Sequence, residues 1–260
     1  MSIGTAKPSK EEMGIIPHHF IDSHSIGDVI NAGRFEEQAL TILKNIYQTQ
    51  NIAIVVGGSG LYINALCNGI DEFPEVPTSV REEVNKNYQE QGIKYLQKEL
   101  ARLDPEYLKI VDNQNPQRML RGLEVCLCSD KPYSFYRNSP NHKRDFEIIK
   151  IGLEIEREQL YERINTRVDL MMKAGLLEEV KSLAHLKNEN ALNTVGYKEF
   201  FDFWEGKTET LEEAIELLKR NTRRFAKRQI TWFKRDQEIS YFHPNDLEKV
   251  INFVNKKMEK

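Results

Sequence analysis

The segment Asn51–Leu66, NIAIVVGGSGLYINAL, predicts the architecture of this 260-residue chain. Its first part, Ile52–Val56, is a continuous apolar run, which is typical of a strand buried on both faces of a parallel sheet. Three glycines then turn the chain, namely Gly57, Gly58 and Gly60. A helix is predicted from Leu61 onward, and a strand, a glycine turn and a helix in this order indicate an α/β protein that binds ligands at the carboxyl ends of its strands. Glycines let backbone N–H groups approach a phosphate closely, although tight packing explains many such turns equally well.

Shorter patterns on both sides of this segment predict the rest of the sheet. Pro17–Asp22, Phe146–Leu153 and Ile239–Phe242 are each predicted to contain a strand. Asn115 followed by Pro116 is a strong helix start, because asparagine caps a helix and proline suits its first turn. The chain is therefore expected to alternate strands and helices.

A smaller helical part is predicted inside this α/β framework. Val80–Gln89 and Ile93–Leu103 have the pattern of two polar helices around Gly92, and Pro74 and Pro77 precede them as a hinge. We therefore expect an α/β core at 1–75 and 113–260 and a helical insertion at 76–112.

A cationic helix is predicted near the end of the chain. Lys219–Arg235, KRNTRRFAKRQITWFKR, holds eight Lys or Arg and no acid, which leaves 29 basic against 40 acidic residues elsewhere. On a helix seven of these charges share an arc of about 140°, namely Arg220, Arg223, Arg224, Lys227, Arg228, Lys234 and Arg235. The side chains on the opposite face are expected to meet a core, and they are Leu218, Phe225, Ala226, Trp232 and Phe233. Thr222 and Gln229 also point inward, where a buried amide needs a hydrogen-bond partner.

Two interpretations of this helix stay open on its sequence alone. An amphipathic helix with a solvated face is the ordinary one, but such a face normally mixes charges of both signs. A face with one sign of charge on an acidic protein indicates a polyanionic partner. Other arginines are spaced for a similar role, since Arg118 and Arg121 share a helix face, as do Arg163 and Arg167.

Composition excludes several classes of protein. The chain is 40% hydrophobic and 30% charged, and no apolar run approaches the length of about 18 residues that a membrane helix requires. The opening MSIGTAKPSKEE has no apolar signal-peptide region, and three cysteines at Cys67, Cys126 and Cys128 follow no metal-site spacing. A cytoplasmic protein with reduced cysteines, no membrane association and a monomeric state is expected.

Several motifs in order resemble the tRNA dimethylallyltransferase family, also called the isopentenyl-tRNA transferase family. The matching segments are IGTAKPS from Ile3, PHHFID, VVGGSGLYINAL, NPQRMLRGLEV, RVDLMMKAGLLEEV from Arg167, TVGYKE and AKRQITWF. The resemblance covers nearly the whole chain and implies a P-loop-kinase-like parallel sheet flanked by helices, with a small helical insertion that contacts the anticodon arm of tRNA. The implied reaction transfers a dimethylallyl group from dimethylallyl diphosphate to N6 of the adenine 3′ of the anticodon, with Mg²⁺ accompanying the diphosphate.

The resemblance also implies roles for individual residues. Arg167 and Arg163 would face the diphosphate, and Ser59, where the family usually has threonine, would keep a hydroxyl near the reacting base. The residues implied to contact tRNA are Ser59, Arg81, Gln117, Arg118, Arg121, Thr194, Gly196, Tyr197, Lys198, Arg224, Lys227, Arg228, Gln229, Thr231, Trp232 and Lys234. No residue is predicted to bind a metal directly.

One departure from the family pattern bears on activity. The family carries a GxxxxGK[ST] phosphate loop and, on a following strand, an aspartate that acts as general base; residues 1–260 contain no such loop, and no aspartate precedes IGTAKPS. We therefore expect an N-terminally shortened form that lacks the first strands and the P-loop and is inactive by itself. A catalytically dead tRNA-binding remnant is the main alternative. A small-molecule P-loop kinase is disfavoured, because the phosphate-loop lysine is missing and the cationic helix is one-sided.

Overall fold

A computed structural model describes residues 1–137 and 143–259 of the chain. Within these residues two short strands and two 3₁₀ turns accompany thirteen α-helices. The helices are α1 Lys10–Met13, α2 Ala32–Ile46, α3 Gly60–Asn68, α4 Thr78–Gln91, α5 Ile93–Leu103, α6 Pro105–Ile110, α7 Pro116–Cys128, α8 Tyr133–Tyr136, α9 Arg157–Lys173, α10 Leu176–Ser182, α11 Lys198–Trp204, α12 Leu211–Phe233 and α13 Leu247–Met258. The strands are β1 Ile151–Leu153 and β2 Ser240–Phe242.

The two strands form a small parallel sheet. Ile151 lies opposite Ser240, and Leu153 lies opposite Phe242. Because parallel strands cannot be joined by a hairpin, the chain between them forms helices, as in other α/β proteins. The predicted α/β class is therefore confirmed, in a form with many helices and little sheet.

The predicted strand at Ile52–Val56 is wrong for this structure. The segment has no regular secondary structure, and the side chains of Ile54 and Val56 are 84% and 90% exposed. A strand needs a neighbour for its backbone N–H and C=O groups, and neither of the described strands pairs with this run. An apolar run identifies a segment that is suited to a sheet, but it does not show whether a neighbouring strand is there to pair with it.

The other strand predictions are reduced in length or wrong. Only the last three residues of Phe146–Leu153, and three residues of the final run, are in strands. The segment Pro17–Asp22 is irregular, with Phe20 and Asp22 at positive φ values of 64° and 51°. A left-handed backbone cannot continue an extended strand, so this segment bends instead.

The chain divides into two compact units, Met1–Ile63 with Phe146–Lys260, and Asn64–Asp145. The predicted insertion at 76–112 lies within the second unit, and its role toward the anticodon arm stays a prediction. The first unit has its core between α9, α10, α11 and α12. That core consists of Val168, Leu176, Val180, Leu192, Tyr197, Phe200, Phe201, Ala214 and Leu218.

The second unit is helical and has its own core. It is built around the completely buried Leu96, Leu100 and Met119, with further side chains from α4 to α7. The buried carboxylate of Asp104 caps α6 by accepting a hydrogen bond from Tyr107 N and also accepts one from Ser134 N at 2.6 Å. Those bonds satisfy a charge that would otherwise be costly to bury.

Candidate nucleic-acid interface

The cationic segment lies on the long helix α12, as its pattern predicts. Thr210 caps this helix by accepting a hydrogen bond from the backbone N–H of Glu213 at 3.1 Å. The first half packs into the core through Ala214 and Leu218, which are 0% and 2% exposed. The second half carries the charges, so one helix joins the core of the first unit to a cationic surface.

The cations of this helix fall into two groups. Lys219 is paired with Asp169 at 2.9 Å and with Glu216 at 3.0 Å, and Lys234 is paired with Glu154 at 2.8 Å. Arg223 donates to the Asn165 side chain at 2.6 Å.

A second group of cations on α12 is exposed to solvent. We call these residues the cationic ridge, and they are Arg220, Arg224, Lys227 and Arg228. In the part of the chain that the structure describes, no carboxylate lies within 4.0 Å of their charged nitrogens. The ridge is thus a concentrated, unneutralised charge that a polyanion can bind.

The glycine turn lies directly against α12. Gln229 donates from Nε2 to the carbonyl oxygen of Gly58 at 3.0 Å, which is the partner that an inward-facing amide requires. A Cβ at Gly58 would collide with this amide, and a Cβ at Gly60 would collide with the indole of Trp232. Glycine is therefore required at both positions by close approach, and the turn is held beside the ridge.

The turn itself begins helix α3. The carbonyl oxygen of Ser59 accepts hydrogen bonds from the backbone N–H groups of Tyr62 at 2.9 Å and Ile63 at 3.1 Å. The Ser59 residue is exposed, so its hydroxyl is accessible to a ligand. Its predicted place at a site is compatible with this position, and its contact with a base stays a prediction.

The core-facing prediction for α12 is partly wrong. Leu218 is buried, but Phe225 and Trp232 are 42% and 41% exposed. The second half of the helix meets a glycine turn, which has no side chains to cover aromatic rings. Exposed rings beside a cationic ridge are suited to stacking on unpaired bases.

The second predicted loop, Thr194–Lys198, is built differently. Gly196 has a φ of 106°, and its N–H donates to Glu199 Oε2 at 2.9 Å. Tyr197 is completely buried, and its hydroxyl donates to Glu179 Oε1 at 2.7 Å.

Burial limits what this loop can present to a ligand. Gly196 and Tyr197 are both buried, so little of either residue is accessible to a ligand, and their contact with tRNA stays a prediction. Thr194 and Lys198 are the exposed residues of the predicted set in this loop. Gly196 and Tyr197 therefore position the loop.

Helix α9 brings two more arginines to the first unit. Arg163 and Arg167 are exposed and lie one turn apart. The hydrogen bond from Arg223 to Asn165 joins α9 to α12. The structure thus places the predicted diphosphate-binding arginines on a helix that is attached to the ridge helix.

The remaining predicted contacts lie in the second unit. Gln117 and Arg118 are exposed on α7, and Arg81 is exposed on α4. The Arg121 guanidinium lies 3.9 Å from Glu124 Oε2 and 5.4 Å from the ring centroid of Phe73.

The environment of Glu124 explains how Arg121 is held. Desolvation raises the pKa of the Glu124 carboxyl, while the charges of Arg121 and Arg81 lower it in part. The carboxylate and the Phe73 ring together fix the direction of Arg121.

Sequence reasoning missed three residues that organise these loops. Glu179 and Glu199 each accept hydrogen bonds from a loop backbone, and Asn221 donates from Nδ2 to Glu199 Oε1 at 2.8 Å. An acid three residues after a glycine turn, as Glu199 follows Gly196, is the signal that could have identified one of them. Nothing local in the sequence identifies Glu179, because its backbone donors are more than 170 residues away.

The described residues hold neither a cluster suited to a metal ion nor a helix suited to a membrane. Over residues 1–137 and 143–259, no group of three or more His, Cys, Asp or Glu side chains is arranged to hold a metal ion. Among the described helices, none combines the length and apolar character that crossing a membrane requires.

Comparison with known proteins identifies the family. A family model described as IPP transferase matches residues 1–236. A tRNA dimethylallyltransferase of Christiangramia forsetii is 48% identical over 99% of this chain and 85% of its own length, and one of Flavobacterium johnsoniae is 47% identical over 98% and 84%. A solved tRNA isopentenylpyrophosphate transferase of Bacillus halodurans has a TM-score of 0.70 at 32% identity, covering 99% of this chain and 83% of its own.

A eukaryotic dimethylallyltransferase, solved acting on tRNA, has a TM-score of 0.82. At 24% sequence identity this match supports the fold alone. It covers 99% of this chain and 69% of that one. The matched family model and the close relatives together settle the assignment: the chain belongs to the IPP transferase family.

Proposed function

We propose that this chain acts in the transfer of a dimethylallyl group from dimethylallyl diphosphate to N6 of the adenine 3′ of the anticodon in tRNA. The observation that carries the proposal is the exposed cationic ridge of α12, the helix whose Gln229 side chain donates a hydrogen bond to the Gly58 carbonyl oxygen. Relatives that are 48% and 47% identical are named for this reaction.

The ridge would bind the phosphates of the anticodon stem. Arg224, Lys227 and Arg228 are exposed cations with no acidic partner within 4.0 Å in the described residues. Contacts with phosphates fix the orientation of a nucleic acid without reading its sequence. Thr231 directs its hydroxyl to the Lys227 carbonyl, so it supports the helix beside these cations.

The glycine turn and the exposed rings would hold the anticodon loop. An enzyme that modifies N6 of adenine must take the base out of its stack, and a flipped base is commonly held by stacking and by hydrogen bonds to its edge. Trp232 offers a partly exposed indole beside the turn, and Ser59 offers an exposed hydroxyl within it. The stem and the flipped base would thus meet neighbouring parts of one surface.

Arg163 and Arg167 would stabilise the leaving group. In the reaction the bond between the allylic carbon and the diphosphate oxygen breaks, a bond from N6 to that carbon forms, and N6 loses a proton. Negative charge grows on the diphosphate, and fixed cations lower the cost of that charge. Mg²⁺ accompanying the diphosphate would supply further positive charge to the leaving group.

A transfer assay tests the proposal. The purified chain would be incubated with labelled dimethylallyl diphosphate and an anticodon stem-loop, and the RNA would be digested to find the modified nucleoside. Binding with incorporation at the adenine 3′ of the anticodon supports the proposal, and a stem-loop with that adenine replaced by guanine is the matched control. Failure to bind the stem-loop would contradict it.

A tRNA-binding protein without transferase activity is the second candidate. The observation that favours it is the exposed cationic ridge, because contacts with phosphates bind RNA whether or not a reaction follows. The same assay separates the two, because binding without incorporation supports this candidate and any turnover excludes it. Action on tRNA places the proposed function in the cytoplasm, and the monomeric state stays a prediction.

A further inference from the structure

The segment that opens the chain is anchored by one carboxylate. Glu179 Oε2 accepts hydrogen bonds from the backbone N–H groups of Ser2 at 2.7 Å and Ile3 at 2.9 Å. Its Oε1 accepts from Gly4 N at 3.0 Å and from the hydroxyl of Tyr197 at 2.7 Å. Four donors on one carboxylate form a built anion-binding arrangement in which the anion is a side chain of the protein.

The opening segment is folded as a turn around this anchor. Ala6 N donates to the Ile3 carbonyl at 3.0 Å, and Lys7 N donates to the Ser2 carbonyl at 3.1 Å. A Cβ at Gly4 would lie 2.5 Å from the Tyr197 ring, so only glycine fits between the turn and the phenol. The turn and Tyr197 are therefore held against each other by packing as well as by the shared carboxylate.

The Thr194–Lys198 loop, which contains Tyr197, is also attached to α12. Gly196 N donates to Glu199, and Asn221 of α12 donates to the second oxygen of that carboxylate. Two carboxylates thus support Thr194–Lys198: Glu179 of α10 links the loop to the opening turn, and Glu199 of α11 links it to α12. Loss of either support frees one side of a loop whose exposed residues are Thr194 and Lys198.

We infer that Glu179 is a positioning residue for RNA binding: it joins the Ser2–Lys7 turn to the Thr194–Lys198 loop and so fixes that loop relative to the cationic ridge. The inference rests on the proposed function, since the loop is a predicted tRNA contact. Glu179 itself touches no substrate, because its oxygens are occupied by the four donors. Its effect on RNA passes through Tyr197 and the loop backbone.

Glu179→Gln is the direct test, with Glu178→Gln as matched control. The substitution replaces one acceptor oxygen by an NH₂ group that faces donors, while Glu178 is the exposed neighbour on the same helix turn. We expect the dissociation constant for the anticodon stem-loop to rise about tenfold in Glu179→Gln, as for loss of hydrogen bonds to a charged group, and to stay unchanged in Glu178→Gln. The slope of log affinity against log salt should be the same in both, because no ridge cation is removed.

Amide hydrogen exchange gives a readout that does not involve RNA. Exchange at Ile3 and Gly4 should accelerate in Glu179→Gln and not in the control, because their acceptor is altered. Unchanged exchange, or faster exchange with unchanged RNA affinity, would overturn the inference. If Glu179→Gln unfolds below the assay temperature, Tyr197→Phe removes only the phenol bond; we expect it to weaken RNA binding severalfold, and unchanged affinity would again overturn the inference.

The two proposals fail in different ways. If the wild-type chain does not bind the stem-loop, the proposed function fails before any variant is made. If the wild type binds and Glu179→Gln binds equally well, only the positioning role is lost.

Discussion

The two glycine turns of the first unit are built in opposite ways. The Gly57–Gly60 turn is mostly exposed, follows an exposed apolar run, and is held by one amide hydrogen bond from Gln229. The Thr194–Lys198 turn buries its central residues Gly196 and Tyr197, and the carboxylates of Glu179 and Glu199 hold it. In our proposal the first turn is a surface for a ligand, and the second is a scaffold for the residues at its edge.

Substitutions in the two regions should therefore differ in how much they change the free energy of unfolding and the affinity for RNA. Changes in the buried turn should lower the free energy of unfolding and, through the position of Thr194 and Lys198, the affinity for RNA as well. Changes in the exposed turn and ridge should mainly lower affinity for RNA. Measurements of unfolding and of RNA binding on variants of each region test this difference, from the largest expected effect to the smallest.

Truncation of Phe200 should give the largest effect. This side chain follows the buried turn and is completely buried, so Phe200→Ala should lower the free energy of unfolding by about 3–5 kcal/mol. Phe225→Ala is the matched control, because its ring is 42% exposed, and it should cost less than about half as much. Urea unfolding of both variants measures the difference, and equal losses would contradict the comparison.

Removal of the Glu199 carboxylate should give the next effect. Glu199→Ala leaves the Gly196 N–H and the Asn221 amide without their acceptor, at a cost of about 1–3 kcal/mol. Glu199→Gln keeps one acceptor oxygen and should lose less. Chemical denaturation checks both values, and a Glu199→Ala variant as stable as wild type would show that the turn does not depend on this side chain.

A methyl group on the exposed turn should affect binding more than stability. Gly58→Ala would displace the Gln229 amide and cost about 0.5–1.5 kcal/mol of stability, with a severalfold loss of stem-loop affinity. At Gly27 an added Cβ meets nothing within 4 Å, so Gly27→Ala is the control. Anisotropy titrations of both variants measure affinity, and an equal loss in both would remove the assigned role of the Gly58 contact.

Lowering the pH should test the Glu179 anchor of the buried turn, with a smaller effect on stability. Desolvation alone would raise the pKa of Glu179, but the backbone N–H groups of Gly4 and Ile3 and the Tyr197 phenol outweigh it and lower that pKa to about 2. Because this folded-state pKa lies below the ordinary value of 4.5, the contribution is present above about pH 4.5 and is lost as pH falls toward 2. The difference in Tm between wild type and Glu179→Gln should shrink across that window, and a difference independent of pH would contradict the prediction.

Local sequence rules predicted α12 better than the sheet. The segregated charge and the inward Gln229 follow from spacing along one helix, and the structure confirms them. The strand at Ile52–Val56 depends on a neighbouring strand that no local pattern reports, and it failed for that reason.

The candidate site also has a part that the sequence predicts and a part that it does not. The ridge cations could be identified because charge of one sign on one helix face is visible in the sequence. Glu179 could not, because it joins residues separated by more than 170 positions. The burial of Tyr197 was also missed, since a TVGYK motif does not state which way its phenol points.

The salt dependence of stem-loop binding tests the central claim most directly. The plot of log affinity against log salt has a negative slope. Combining Arg224→Ala with Lys227→Ala should make this slope shallower by about 0.7–0.9 for each phosphate contact removed. Lys219→Ala, which removes a cation already paired with Asp169 and Glu216, should leave the slope unchanged. A double variant with the wild-type slope would show that the exposed ridge is solvated and binds no RNA.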